Sequence, residues 1–104
     1  MFATAPNTIR HVPARQWETW RDDNDALVID VREPIEWVTG TLEGSERVSL
    51  MSLPEAISDL DRDRAILLVC ATGSRSTTAA AWLASMGFTN VASLGGGVVA
   101  LGMG

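Results

Sequence analysis

Two almost continuous apolar runs, residues 26–31 and 65–70, set the strongest limit on how this chain can fold. Runs this short and this apolar are typical of strands in a parallel sheet whose two faces are both covered. Helical patterns lie between and after the two runs, and they end at turn residues such as Gly40 and Gly87. Strands that alternate with helices at this spacing predict an α/β fold, in which right-handed crossovers cover both faces of a parallel sheet.

The remaining elements are predicted from turn and cap signals. We expect further strands over residues 8–12, 47–50 and 90–94. The predicted helices open at Pro13, at Glu33-Pro34 and at Pro54, where the helix is expected to reach Leu60, and the longest helix covers residues 75–86. The last one has Gly87 at the position of a left-handed C-terminal cap. The three glycines 95–97 are interpreted as a turn before a short tail.

Length, charge and cysteine content limit the classes of protein. A chain of 104 residues is expected to form one domain over residues 1–104, and a single cysteine excludes an internal disulfide. The net charge is −5 and the eight basic residues, all arginine, are scattered, which argues against nucleic acid as a partner. With no basic leader and no long apolar run, we expect a cytoplasmic protein without a membrane partner.

Cys70, the only cysteine, stands at the carboxyl end of the second apolar run, directly before Ala71-Thr72-Gly73-Ser74-Arg75-Ser76. In parallel sheets, ligands bind outside the carboxyl ends of the strands. Gly73 can take a positive φ, so we expect a small open loop whose successive amides face inward as an anion-binding nest. The positive end of the following helix points to the same place. These dipoles would lower the pKa of Cys70 and make it the candidate catalytic nucleophile.

The length of this loop separates two kinds of chemistry. Four residues lie between Cys70 and Arg75, one fewer than in the phosphate-binding loop of cysteine phosphatases. A tighter ring suits a smaller group, such as one sulfur atom on Cys70, and therefore favours sulfur transfer over phosphoester hydrolysis. Arg75 is expected either to hold the loop carbonyls or to face the incoming anion, and the sequence leaves both roles open.

The chain resembles the rhodanese-like domain family in a combination of segments that covers most of residues 8–101. These segments are Leu27 to Trp37, Gly40 to Ser45, Cys70 to Ser76, and Gly87 to Val91 leading into Leu94-Gly95-Gly96-Gly97. The chain departs from the family where His, Pro and an aromatic residue are frequent, at Thr41, Glu43 and Leu101. The helix that usually follows the glycines is expected to be nearly absent.

The resemblance implies a fold and an activity. The fold would be a rhodanese-like domain, with a five-stranded parallel sheet flanked by helices on both faces. Cys70 would take sulfane sulfur from a donor such as thiosulfate or a persulfide, and would then pass it to cyanide or to a thiol, including that of an acceptor protein. Ala71 to Arg75 would supply the amides that stabilise the persulfide. No cofactor and no metal are expected.

Two interpretations remain beside this one. Asp30 and Arg32 lie at the carboxyl end of the first apolar strand, at the same edge of the sheet as Cys70, and are interpreted as a polar pair that supports the following loop. The alternative function belongs to another class of protein: a catalytically idle module of the same fold that binds a partner protein. The intact Cys70 and its full-length loop favour the enzyme.

Overall fold

In the computed structural model, which describes residues 9–103, five parallel strands form one sheet in the order β1-β5-β4-β2-β3. The strands are β1 (Arg10–Pro13), β2 (Leu27–Asp30), β3 (Glu46–Arg47), β4 (Ile66–Val69) and β5 (Val91–Gly95). The α-helices are α1 (Trp17–Asn24), α2 (Pro34–Trp37), α3 (Leu53–Ala56) and α4 (Ser74–Ser85). Short 3-10 helices span Ala14–Gln16, Leu50–Ser52 and Val98–Leu101. The predicted five-stranded parallel α/β fold is confirmed.

The two apolar runs form β2 and β4, which lie side by side inside the sheet. All four residues of β4 are fully buried, and they alternate between two core clusters as the side chains of a strand must. Leu68 belongs to one cluster together with Cys70, whereas Leu67 and Val69 belong to the other. Both faces of the sheet are therefore covered, which explains why these strands carry almost no polar residues.

Different helices cover the two faces. On one face, Ala79, Ala80 and Leu83 of α4 pack with Leu53 of α3 against the sheet. On the other face, Trp17 of α1 and Val98 of the last 3-10 helix fill the core. The tail after the glycines, where the sequence led us to expect almost no helix, forms the 3-10 helix Val98–Leu101 and contributes a fully buried side chain through Val98.

Two predicted elements are clearly shorter than expected, whereas the others differ by only a few residues. The strand expected over residues 47–50 is observed as β3 at Glu46–Arg47, and Leu50 already begins a 3-10 helix. Backbone pairing nevertheless continues past β3, since the N–H of Val48 donates to the carbonyl of Asp30. The helix expected from Pro54 to Leu60 ends as α3 at Ala56, and isolated turns follow it. Thr8, with which the first strand was predicted to start, lies outside the described residues.

The longest helix, α4, begins and ends at glycines. Gly73 precedes its first residue with a φ of +104°, and Gly87 follows its end with a φ of +100°, as expected for a left-handed cap. α4 has 12 residues, and no helix in the described part of the chain is long and apolar enough to cross a membrane. Its first turn lies at the carboxyl end of β4, beside Cys70.

Candidate active site

Cys70 lies at the carboxyl end of the central strand of the sheet. β4 is hydrogen-bonded to β5 on one side and to β2 on the other, and Cys70 directly follows its last residue, Val69. Cys70 has no solvent-exposed surface. The loop is therefore more closed than the open loop expected from the sequence.

Two backbone amides of the loop donate hydrogen bonds to the Cys70 sulfur. The nitrogen of Gly73 lies 3.1 Å from Sγ, and that of Ser76 lies 3.2 Å from it. The positive φ of Gly73, which residues with a side chain rarely adopt, turns its amide inward. Because α4 begins at Ser74, the positive end of its dipole lies at the same place. Sγ is thus surrounded by groups that stabilise a negative charge.

Burial and hydrogen bonding shift the pKa of the Cys70 thiol in opposite directions. Burial alone raises the pKa of Cys70. The Ser76 hydroxyl and the backbone amides of Ser76, Gly73 and Thr72 favour the charged form and together lower the pKa by more, so it falls below its ordinary value. A lower pKa gives a larger thiolate fraction near neutral pH, and the thiolate is the nucleophilic form of cysteine.

The chain after β5 holds the start of the loop through backbone contacts. The N–H of Val98 donates to the carbonyl of Cys70 and the N–H of Val99 to that of Ala71, each over 3.0 Å. Gly97 makes this close approach possible, because a Cβ at that position would overlap the carbonyl of Ala71 and lie 2.6 Å from that of Cys70. The glycines predicted as a turn therefore also position the cysteine loop.

In the described part of the chain, Arg75 makes no hydrogen bond to the loop carbonyls and pairs instead with a carboxylate on another helix. Its two terminal nitrogens lie 2.7 and 2.8 Å from the two carboxylate oxygens of Glu36 in α2. The hydrogen bond from Arg75 is the main cause that lowers the pKa of Glu36 to about 2, and the pairing raises the pKa of Arg75. The ion pair joins α2 to the first turn of α4.

We expect this pair to make a small, pH-dependent contribution to stability. The pKa of Glu36 is lowered by folding, so its contribution is complete above the unfolded-state value of about 4.5 and is lost as the pH falls towards about 2. Both side chains are about one-third exposed, so solvent screening limits the contribution to less than about 1 kcal/mol. Urea unfolding of the parent and of Glu36→Gln should therefore differ slightly at pH 7, and the difference should narrow below pH 4.5. A difference that grows with acidification would contradict this assignment.

Asp30, the last residue of β2, forms a buried ion pair with Arg32. The Arg32 side chain donates to both carboxylate oxygens of Asp30 over 2.8 to 3.1 Å, and its backbone N–H donates to Oδ1 over 3.0 Å. Arg32 also donates to the carbonyl of Gly40 over 2.6 Å, and both side chains are almost fully buried. The pair therefore ties the end of β2 to the segment that follows α2, next to the candidate site.

A depression opens beside the cysteine loop. It has a volume of about 210 Å³ and lies between α2, the loop and the last 3-10 helix. Its lining residues are Arg32, Glu36, Thr39, Ala71 and Val99. Among the predicted site residues, the structure therefore brings Arg32 and Ala71 together around one opening, next to the buried sulfur.

Two residues of this site were not singled out from the sequence. The hydroxyl of Ser76 lies 3.4 Å from Sγ, and Glu36 holds Arg75. Ser76 was recognisable only as the residue that closes the loop motif. Glu36 had a local signal, because Glu33 and Glu36 have the spacing of a helix capping box, which α2 indeed forms. The pairing of Glu36 with Arg75, 39 residues away in the sequence, depends on how the helices pack, and no local pattern predicts it.

Comparisons with known proteins agree with this arrangement. The family model described as Rhodanese-like domain matches residues 14–102, which include the whole cysteine loop. The curated protein Thiosulfate sulfurtransferase GlpE of Stutzerimonas stutzeri (strain A1501) is 34% identical to this chain over 88 residues. The match covers 85% of this chain and 80% of that protein.

Two solved structures share the fold. A rhodanese-related protein from Thermoplasma volcanium matches with a TM-score of 0.72 and 31% identity, over 86% of both chains. Reduced CoADR-RHD of Bacillus anthracis matches with a TM-score of 0.80 and 29% identity, over 90% of this chain and 16% of that one. The family match spans most of the chain, and the resemblance predicted from the sequence is confirmed. The chain belongs to the rhodanese-like domain family.

Proposed function

We propose that this chain is a sulfurtransferase that takes sulfane sulfur from thiosulfate or a persulfide onto Cys70 and passes it to a thiophilic acceptor. The observation that carries this proposal is the pair of amide hydrogen bonds, from Gly73 and Ser76, to Sγ. Relatives named thiosulfate sulfurtransferase, between 33% and 39% identical to this chain, support the same reaction. The sulfurtransferase activity predicted from the sequence agrees with the activity for which these relatives are named.

In the first half-reaction, the Cys70 thiolate attacks the outer, sulfane sulfur of thiosulfate. The new bond joins Sγ to that sulfur, the S–S bond of thiosulfate breaks, and sulfite leaves with the electron pair of the broken bond. The three negative charges of the reactants are shared by the persulfide anion and sulfite, so no proton or electron from elsewhere is needed. No general base is required once the nucleophile is a thiolate, the form that the lowered pKa of Cys70 favours.

In the second half-reaction, an acceptor attacks the outer sulfur of the persulfide. With cyanide, a carbon–sulfur bond forms, the S–S bond of the persulfide breaks, and thiocyanate leaves while Cys70 returns to the thiolate. A thiolate acceptor, free or on a protein, would receive the sulfur in the same way. Because the two substrates react in separate steps with a covalent intermediate between them, we expect ping-pong kinetics.

The charge on these intermediates would be held by backbone dipoles rather than by free cationic side chains. The arginines nearest to the loop are already paired, Arg32 with Asp30 and Arg75 with Glu36. The chain as a whole carries a net charge of −5, which weakly repels an anionic donor. The amides from Ala71 to Arg75 and the N-terminus of α4 are therefore the groups that we assign to substrate binding.

The donor would approach through the depression beside Ala71. Because Cys70 is fully buried, the outer part of the loop must move slightly before the sulfur can be attacked. Thr72 and Ser74 are exposed and take part in none of the backbone hydrogen bonds that join the loop to the last 3-10 helix. This outer part is thus the portion of the loop that is least restrained by the core.

Mass spectrometry after incubation with thiosulfate tests the proposal. We expect the intact protein to gain the mass of one sulfur atom, and we expect cyanide to remove it with the release of thiocyanate. Cys70→Ser is the control that must stay unmodified, since no other cysteine is present. A parent protein that remains unmodified with thiosulfate and with persulfide donors would contradict the proposal and favour the idle binding module.

A further inference from the structure

A buried serine interrupts the apolar strand β5 behind the cysteine loop. Ser93 has no exposed surface and lies between Ala92 and Leu94, which are also fully buried. A buried hydroxyl without partners destabilises a protein, whereas one that is hydrogen-bonded can be retained. Among the described residues, the side-chain partners of Ser93 are Ser76 and Thr77 in the first turns of α4.

These hydroxyls form a short chain that ends at the Cys70 sulfur. The oxygens of Ser93 and Ser76 are 2.7 Å apart, and the Ser76 oxygen lies 3.4 Å from Sγ. The Thr77 hydroxyl lies 3.3 Å from the Ser93 oxygen and donates to the carbonyl of Gly73 over 2.7 Å. Ser93 itself has no hydrogen bond to Cys70, so any influence on the sulfur must pass through Ser76.

This row of hydroxyls can take two hydrogen-bond arrangements, one for each protonation state of Cys70. With a thiol, S–H donates to the Ser76 oxygen, and the Ser76 hydroxyl donates to the carbonyl of Gly73 over 3.2 Å. With a thiolate, the Ser76 hydroxyl turns to donate to Sγ. The Gly73 carbonyl keeps the hydroxyl of Thr77 as a donor, so this rotation leaves no buried carbonyl without a partner.

We infer that Ser93 is a positioning residue for sulfur transfer: its hydroxyl donates to Ser76 and thereby favours the orientation in which Ser76 donates to the Cys70 thiolate. This inference deepens the proposed function, and it concerns the free enzyme before any sulfur donor binds. Each hydroxyl keeps its own proton in both arrangements, and the proton of the thiol leaves to solvent. Hydrogen bonds in such a chain polarise one another, so the last one, to the anion, becomes stronger.

The charged groups near Cys70 would not supply the stabilisation of its thiolate that we assign to the hydroxyls of Ser93 and Ser76. Arg75 of α4 is close enough to Cys70 for their charges to interact, but its guanidinium is paired with Glu36 of α2. β5 and the last 3-10 helix carry no ionisable side chain. The other ionisable groups near the loop are paired or exposed, namely Asp30 with Arg32 at the end of β2, Glu33 before α2, and Glu55 on α3.

The ultraviolet absorbance of the thiolate tests the inference without a sulfur donor. The chain has one cysteine and no tyrosine, so the pH titration of this signal reports Cys70 alone. In Ser93→Ala, we expect the titration midpoint to move upward, so that the thiolate fraction below the parent's midpoint falls about two- to fivefold. Ser85→Ala is the matched control, because Ser85 bonds to a carbonyl on the exposed side of α4, and it should titrate like the parent.

A double-mutant cycle distinguishes an effect of Ser93 that passes through Ser76 from a general change in structure. If Ser93 acts through Ser76, replacing Ser93 by alanine in a Ser76→Ala protein should leave the midpoint where Ser76→Ala placed it. An equal upward shift of the midpoint in both backgrounds would overturn the inference, as would an unchanged midpoint in Ser93→Ala. Because no donor is present, these results stand whether or not the proposed sulfur transfer is found.

Discussion

Cys70→Ser is expected to abolish sulfur transfer from thiosulfate to cyanide, with a loss of at least about a thousandfold, as for the removal of other covalent nucleophiles. The serine oxygen fits into the space of the sulfur and can accept hydrogen bonds from the same amides, those of Gly73 and Ser76. Its hydroxyl stays protonated at neutral pH, so no anion is available to attack the donor. The initial rate of thiocyanate formation measures the effect.

The same variant must remain folded for this result to be informative. Cys70 is one member of a larger core cluster, and its replacement by a residue of similar size should lower the free energy of unfolding by no more than about 2 kcal/mol. Urea unfolding provides this control. A folded Cys70→Ser protein with the activity of the parent would remove Cys70 from the reaction and end the proposed mechanism.

Gly97→Ala is expected to lower both stability and activity strongly. Gly97 has a φ of +64° and a ψ of −171°, a backbone conformation that is essentially restricted to glycine. The added methyl group would also overlap the carbonyls that Cys70 and Ala71 direct at the last 3-10 helix. We expect the free energy of unfolding to fall by about 2–5 kcal/mol from strain and overpacking together. The loop would lose its shape, so the thiolate titration of Cys70 should shift upward in whatever protein remains folded.

Gly102→Ala and Gly44→Ala are matched controls for this variant. Both glycines also have positive φ values, +81° and +82°, but a Cβ at either position would meet no atom within 4 Å. These variants therefore carry the cost of the backbone conformation alone, about 1 kcal/mol, and should leave sulfur transfer close to that of the parent. If Gly97→Ala were as stable and as active as the controls, the packing of the last 3-10 helix against the loop would not matter for the site.

The fold was predictable because its main determinants are local in sequence. The apolar runs that form β2 and β4 indicate buried strands directly, because a strand covered on both faces has no exposed side on which polar residues are needed. Gly73 and Gly87 likewise marked the two ends of α4. The position of Cys70 at the carboxyl end of β4 then followed from the strand alone.

The rest of the site depends on which elements pack together, and the sequence does not state this. The pairing of Arg75 with Glu36 joins residues 39 apart, and the sequence left the partner of Arg75 open between loop carbonyls and substrate. Gly97 was visible only as a turn glycine, because its contact with Ala71 arises when β5 is placed beside β4. Ser93 gave one weak signal, a single hydroxyl in an apolar strand, whose meaning depends on the facing Ser76.

The ionisation of the only cysteine in the parent protein, followed by ultraviolet absorbance against a Cys70→Ser blank, is the most direct test of how this loop works. Amides of Gly73 and Ser76 directed at the sulfur require a midpoint below that of an ordinary cysteine, about 8.5. A midpoint at or above that value would mean that burial outweighs the dipoles around Cys70, and that the loop does not hold an anionic sulfur ready to accept a second one.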